Sequence, residues 1–236
     1  MKFVVAGYGS RGDVEPCVAV GRELLRRGHE VRMAVPPNML GFAEAAGLAA
    51  VAYGPNSRLV EGFREDFAKI ENPITKVREA TEHYTHVWAE KGMTLTELAD
   101  GADLLVAGIT EQGLAANVAE FHGIPLAALH MYPMRIIKLQ GLDWRLTQEA
   151  ESAHRRALGL PEATGASAQL MEEGGSLEIQ AYDEFCLPGP TAEWVEPGGW
   201  RPFVGALTLE LPTAADDEIL SWIAAGPRRS TSALAA

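Results

Sequence analysis

The sequence predicts a doubly wound parallel α/β sheet, on three observations. Short apolar runs end at glycine or proline, helical patterns follow each of them, and the loops between are short. Phe3 to Ala6 is a buried-strand run that stops at Gly7. Val14 to Arg27 carries Val18, Val20, Leu24 and Leu25 at helical spacing, and Gly28 stands where a carboxyl-terminal cap belongs. Val31 to Val35 is a second strand, stopped by Pro36 and Pro37. Met39 to Ala46 reads as a helix and Leu48 to Tyr53 as a third strand. Three such units imply right-handed crossovers and parallel pairing.

Between Pro73 and Gly101, the residues Ile74, Val77, Tyr84, Val87, Trp88, Leu95 and Leu98 put apolar groups on one face of a long helix, read as core. The alternation then resumes with a strand from Asp103 to Ala107, a helix from Gln112 to Phe121 and a strand from Pro125 to His130. A polar helix covers Leu142 to Leu158. Ser176 to Ala181 alternates as a strand does, Phe203 to Leu207 reads as one more, and Asp216 to Ala225 makes a final helix. Residues 1–226 form one domain, and 227–236 are an irregular tail.

Composition bounds the function. The chain has 236 residues, 47 % hydrophobic, enough to bury a sizeable core. Lys and Arg number 20 against 32 Asp and Glu, a net charge of −12 that argues against nucleic acid and anionic membrane surfaces. No apolar run nears the roughly 20 residues of a membrane span, so a cytoplasmic setting is expected. The two cysteines, Cys17 and Cys186, stand far apart with no histidine cluster and read as small buried hydrophobes, not a disulfide or zinc site. No metal and no bound cofactor is expected.

The chemistry lies in Gly7-Tyr8-Gly9-Ser10-Arg11-Gly12-Asp13-Val14-Glu15-Pro16, the turn from the first strand into the first helix. In open α/β sheets ligands sit beyond the carboxyl ends of the strands, so this turn borders the site. Gly7, Gly9 and Gly12 have the spacing of a dinucleotide fingerprint. That reading is set aside. The second strand ends Arg32-Met33-Ala34-Val35-Pro36 without the acidic residue a ribose needs, and Asp13 would put a negative charge where pyrophosphate should sit. Asp13 itself reads two ways: a helix N-cap, or a carboxylate at a cleft that takes a proton from a hydroxyl. Ser10 as a helix cap and Arg11 as a solvated loop residue are likewise open.

The turn, together with Gly28-His29-Glu30-Val31-Arg32 and Ala34-Val35-Pro36-Pro37-Asn38, resembles the amino-terminal domain of bacterial GT-B glycosyltransferases of the glycopeptide-antibiotic, sterol-type and mycobacterial glycopeptidolipid kinds. The likeness continues through Ala102 to Val106, His122 to Pro125, Ala157 to Pro161, Arg201 to Gly205 and Trp222 to Gly226. It implies a Rossmann-like acceptor-binding domain, the amino-terminal half of a GT-B fold. It also implies a role for Asp13 as the base that deprotonates an acceptor hydroxyl during inverting sugar transfer. Ser10, Arg11 and Gly12 would border the sugar diphosphate. His130, Met131 and Tyr132, after a strand end on the same edge, would line a hydrophobic or lipid acceptor; packing is the plainer role for each. His29 reads as structural.

Two departures stand out. The stretch from Met134 to Leu158 looks shorter than its counterpart in the family, where an insertion walls the acceptor pocket. The family's carboxyl-terminal domain, which would bind a UDP- or TDP-linked sugar, is not found after Gly226. The run Arg228 to Ser232 is what a GC-rich segment coding Pro-Pro-Val-Tyr-Val-Gly gives one nucleotide out of frame, so the tail is expected to be a frameshift remnant at the domain junction. A lone chain of this kind is expected to transfer sugar poorly, and to form homodimers through the face a second domain would cover. The alternatives are a non-catalytic acceptor-binding or complementing module, and a nucleotide-cofactor protein.

Overall fold

A computed structural model of the chain describes residues 1–58, 69–133, 140–163, 165, 175–186, 201–209, 211 and 214–226. The tail at 227–236 and Met134 lie outside the described residues, as do the side chains of Ile74, Leu142 and Cys186.

The strands are β1 Lys2–Ala6, β2 Glu30–Val35, β3 Ala49–Ala52, β4 Leu104–Gly108, β5 Leu126–His130 and β6 Leu177–Gln180. The helices are α1 Arg11–Arg26, α2 Leu40–Ala45, α3 Pro73–Leu98, α4 Gln112–His122, α5 Gln140–Ala157 and α6 Ala214–Ala225. Among the described residues one sheet takes all six strands in the order β3-β2-β1-β4-β5-β6, every pair parallel. The order reverses between β1 and β4, where Val4 stands opposite Leu105 and Ala6 opposite Ala107. That reversal opens a crevice at the carboxyl ends of the two strands.

Side chains on successive strand residues point to opposite faces. Val4, Ala6, Leu105, Ala107, Leu126 and Ala128 meet Trp88 and Leu95 of α3, Leu114 and Val118 of α4, and Ala150 of α5. Phe3, Val5, Met33, Val35, Val106 and Leu129 meet Val14, Cys17 and Val18 of α1 and Ala43 of α2. Leu207, Leu209 and Leu211 lie against this second face without forming a strand. The sheet is therefore wound on both sides, as its strand patterns require.

Differences of detail are instructive. α1 starts at Arg11, three residues before the expected Val14, because Ser10 caps it and Asp13 completes the box. Asp13 is thus the third helical residue and not the N-cap. The expected strand at Phe203 is a single parallel bridge to Gln180. Val87 and Trp88 are core residues, whereas Val77 is 55 % exposed and off the stripe. His29 packs its ring on Phe3, with centroids 5.1 Å apart.

Candidate functional site

The turn after β1 reaches its shape through its glycines. Gly9 has φ +134°, a conformation L side chains rarely adopt, and a Cβ there would run into the Asp13 carboxylate. Close approach matters at two more positions: a Cβ on Gly7 or on Gly108, at the ends of β1 and β4, would come within 3.0 Å of the Cys17 thiol. Glycine at both lets α1 seat Cys17 in the crevice between the strands. The thiol is buried, and burial, then the charges of Glu111 and Asp13, push its pKa to about 12. It packs and has no thiolate to offer.

Asp13 is fixed by Ser10. The Ser10 N–H and hydroxyl both donate to Asp13 Oδ2, at 2.8 and 2.9 Å. Among the described residues both bonds fall on Oδ2, and no bond to Oδ1 is formed. Ser10 and Gly12 are exposed and Asp13 half-buried, which places this group at the open edge of the sheet. Pro16 has no N–H to give the Gly12 carbonyl one turn earlier, so the helix leaves that acceptor without its usual donor beside Asp13. The carboxylate also occupies the position at the amino end of α1 that a dinucleotide's pyrophosphate would take in the fingerprint reading.

Arg11 extends from the same turn. Its Nε donates to Glu15 Oε2 at 2.8 Å, and its guanidinium lies 4.9 Å from the centre of the Phe42 ring. Glu15 in turn accepts the Leu209 N–H at 2.9 Å. Burial raises the Glu15 carboxyl's pKa, but the bonds from Arg11 and Leu209 outweigh it and leave a net lowering.

The residues after β5 divide. Tyr132 is 39 % exposed and Met131 is partly buried against the α1 face, both near the turn's edge of the sheet. His130 is turned into the seam between β5 and β6, 1 % exposed, with Nε2 3.0 Å from Glu178 Oε2. Glu178 also accepts from Arg201 Nε at 3.3 Å. The structure thus brings Ser10, Arg11, Gly12 and Asp13 together and sets His130 in a buried polar chain of its own.

One cluster at this edge is absent from the sequence reading. Glu111, fully buried at the start of α4, pairs with Lys91 Nζ at 2.7 Å and accepts the Tyr53 hydroxyl at 2.5 Å. The Lys91 ammonium stands 4.2 Å from the centre of the Tyr8 ring. Glu111, in the short loop between β4 and α4, was legible as an edge residue; Lys91, 20 positions upstream in a helix, was not. No group of three or more His, Cys, Asp or Glu that could hold a metal occurs among the described residues.

Residues 3–95, which include the whole turn, match the glycosyltransferase family 28 N-terminal domain. Over this stretch the chain is similar to a glycosyltransferase amino-terminal domain. It is 53 % identical to an uncharacterized glycosyltransferase of Mycobacterium tuberculosis over 95 % of its length and 59 % of the relative's. It is 31 % identical to a dTDP-epi-vancosaminyltransferase of Amycolatopsis orientalis over 68 % of its length and 41 % of the relative's. In structure the chain is similar to CalG4, the calicheamicin glycosyltransferase, with a TM-score of 0.62, 18 % identity and coverage of 87 % of this chain and 52 % of that one. The fold is the Rossmann-like amino-terminal half of the GT-B arrangement, and the chain spans about six tenths of the length of the mycobacterial relatives. Among the described residues no helix is long and apolar enough to cross a membrane.

Proposed function

We propose that this domain is the acceptor-binding half of an inverting, nucleotide-sugar-dependent glycosyltransferase, with Asp13 as its base. The observation that carries the reading is the Asp13 carboxylate held by Ser10 at the β1–β4 crevice, with Oδ1 uncommitted. In the reaction the acceptor oxygen bonds to the anomeric carbon as its proton passes to Asp13 Oδ1. The bond from that carbon to the diphosphate oxygen breaks on the opposite side, and its electron pair leaves with the nucleotide diphosphate. Configuration inverts because attack and departure are in line. Ser10, Arg11 and the Gly12 backbone border the departing charge, where N–H groups and a guanidinium favour it.

A hydrophobic hydroxylated acceptor suits the edge on which Met131 and Tyr132 stand, since the thioether re-packs around irregular apolar shapes and the phenol offers a flat apolar face with a polar tip. The UDP- or TDP-linked sugar is expected on a second domain, for which the greater length of the relatives leaves room. Inverting transfer needs base, acceptor and anomeric carbon held within about 3–3.5 Å, and one wall of a cleft cannot set all three. Calorimetric titration tests this division. UDP-glucose and TDP-glucose should not bind this chain, an apolar sterol-like alcohol should, and Asp13→Ala should weaken the alcohol about tenfold. Tight binding of either sugar nucleotide would overturn the assignment.

A further inference from the structure

Beneath the Asp13 turn lies a charged cluster that the proposed reaction does not use. Glu111 and Lys91 are buried, 0 % and 5 % exposed, and joined at 2.7 Å. Four separate segments meet on them. Tyr8 comes from the turn itself. Tyr53 and Pro55 follow β3, Lys91 belongs to α3, and Thr110 and Glu111 follow β4. The Tyr53 hydroxyl donates to Glu111 Oε2, and the Thr110 hydroxyl lies 2.9 Å from the Tyr8 carbonyl and 3.2 Å from Glu111 Oε1. The Lys91 ammonium faces the Tyr8 ring at 4.2 Å and the Tyr53 ring at 5.3 Å, while the Tyr8 hydroxyl donates to the Pro55 carbonyl at 2.9 Å. A Cβ on Gly54 would come within 2.6 Å of Lys91 Cγ, so the lysine stem fills the place where the loop after β3 has no side chain.

Such a pair is a poor device for stability alone. Desolvating two charges costs several kcal/mol per ion, and apolar side chains of similar volume commonly stabilise a core as well or better. What the pair supplies here is geometry. Burial, then the Glu111 charge, pushes both tyrosine pKa values above their usual range, so each hydroxyl stays a donor. The cation holds the face of Tyr8 and Thr110 holds its carbonyl, leaving the residue next to Gly9 little freedom.

We infer that Lys91 and Glu111 are positioning residues for sugar transfer: they clamp Tyr8 and thereby set the Gly9–Asp13 turn against the carboxyl ends of β3 and β4. The inference rests on the reading of Asp13 as the base. Its test therefore uses no ligand, so that a failure of that reading, seen as absent alcohol binding by the wild-type chain, is separate from a failure of the clamp.

The test is amide exchange of the isotope-labelled chain by NMR, following Gly7, Ser10, Asp13 and Val14, whose N–H groups are bonded in and around the turn, with Leu24 and Leu25 of α1 as internal reference. In Lys91→Met/Glu111→Gln, no charge is left buried and Tyr53 keeps an acceptor, so the melting temperature should stay near wild type. Without the cation on Tyr8, the turn amides should exchange about tenfold faster while the reference amides hold. A role confined to neutralising buried charge would leave the turn at its wild-type rate, and that result would overturn the inference. If the double variant does not fold, Thr110→Val decides. It removes the hydroxyl that reaches both the Tyr8 carbonyl and Glu111 Oε1 while leaving the Lys91–Glu111 pair charged, and the turn should exchange about threefold faster; an unchanged rate would be equally fatal.

Discussion

At the scale of single residues, the site depends on side chains that are missing as much as on those present. Gly9 is the clearest case. An alanine there would need φ +134° and would drive its Cβ into the Asp13 carboxylate. Gly9→Ala should cost about 1–3 kcal/mol in urea unfolding and disturb Asp13 most of all. Away from the site, His154 on α5 is buried against Trp88 and lies 3.3 Å from the Asn117 amide, and a Cβ on Gly92 would strike its ring. Burial, then the neighbouring Arg155 charge, lowers its pKa to about 4. A folded value below the unfolded one, about 6.5, makes its contribution full above pH 6.5 and lost as pH falls toward 4. At about 1.4 kcal/mol per unit, the loss is on the order of 3 kcal/mol at most. Unfolding free energies at pH 7 and pH 4.5 should differ by this extra amount in the wild type and not in His154→Gln.

At the scale of elements, α1 does two jobs with one turn of side chains. Its start presents Asp13 to the crevice, and Glu15 reaches the other way to hold the backbone at Leu209. The segment that starts beside β6 at Arg201 is thereby tied, at Leu209, to the same helix that carries the proposed base. Glu15→Ala removes a charged acceptor from that amide and should cost about 1–2 kcal/mol while exposing the segment to protease. Because the Glu15 pKa is lowered in the fold, its contribution is present above the ordinary carboxylate pKa and lost as pH falls through the folded value. Protease sensitivity of this segment should therefore rise in acid in the wild type and be high at every pH in Glu15→Ala.

At the scale of the whole molecule, one face remains apolar. Ile219, Leu220 and Ile223 of α6 are each more than half exposed, and the chain covers about six tenths of its mycobacterial relatives. Apolar surface of this kind favours association. Light scattering across a concentration series should show dimers, weakened by Ile219→Glu/Ile223→Glu without loss of the far-UV spectrum. A monomer at all concentrations would count against self-association. The net charge of −12 opposes close approach of two copies, so added salt should strengthen the dimer.

How much of this was legible in the residues follows from the range over which each signal acts. Strand periodicity, the stops at Gly7, Gly28 and Pro36, and the Gly9-to-Asp13 turn are local, set by φ/ψ preference and by burial on alternate faces, so they fixed the fold class and pointed to Asp13. The start of α1 was misjudged by three residues because Ser10 and Asp13 satisfy the helix end reciprocally, a bond that apolar spacing does not register. His130 illustrates the opposite limit. The resemblance put it at the acceptor edge and packing was its plainer role; β6 brought Glu178, 48 residues later in the chain, beside it and buried the ring, a partner no local pattern names. Lys91 and Glu111 likewise became a pair only when α3 was laid across the carboxyl ends of β3 and β4. The sequence by itself determined the layers, the crevice and the carboxylate in it. Which distant side chains hold that carboxylate's turn in place was decided by tertiary packing, because a buried charge takes its partner from whatever the fold sets beside it.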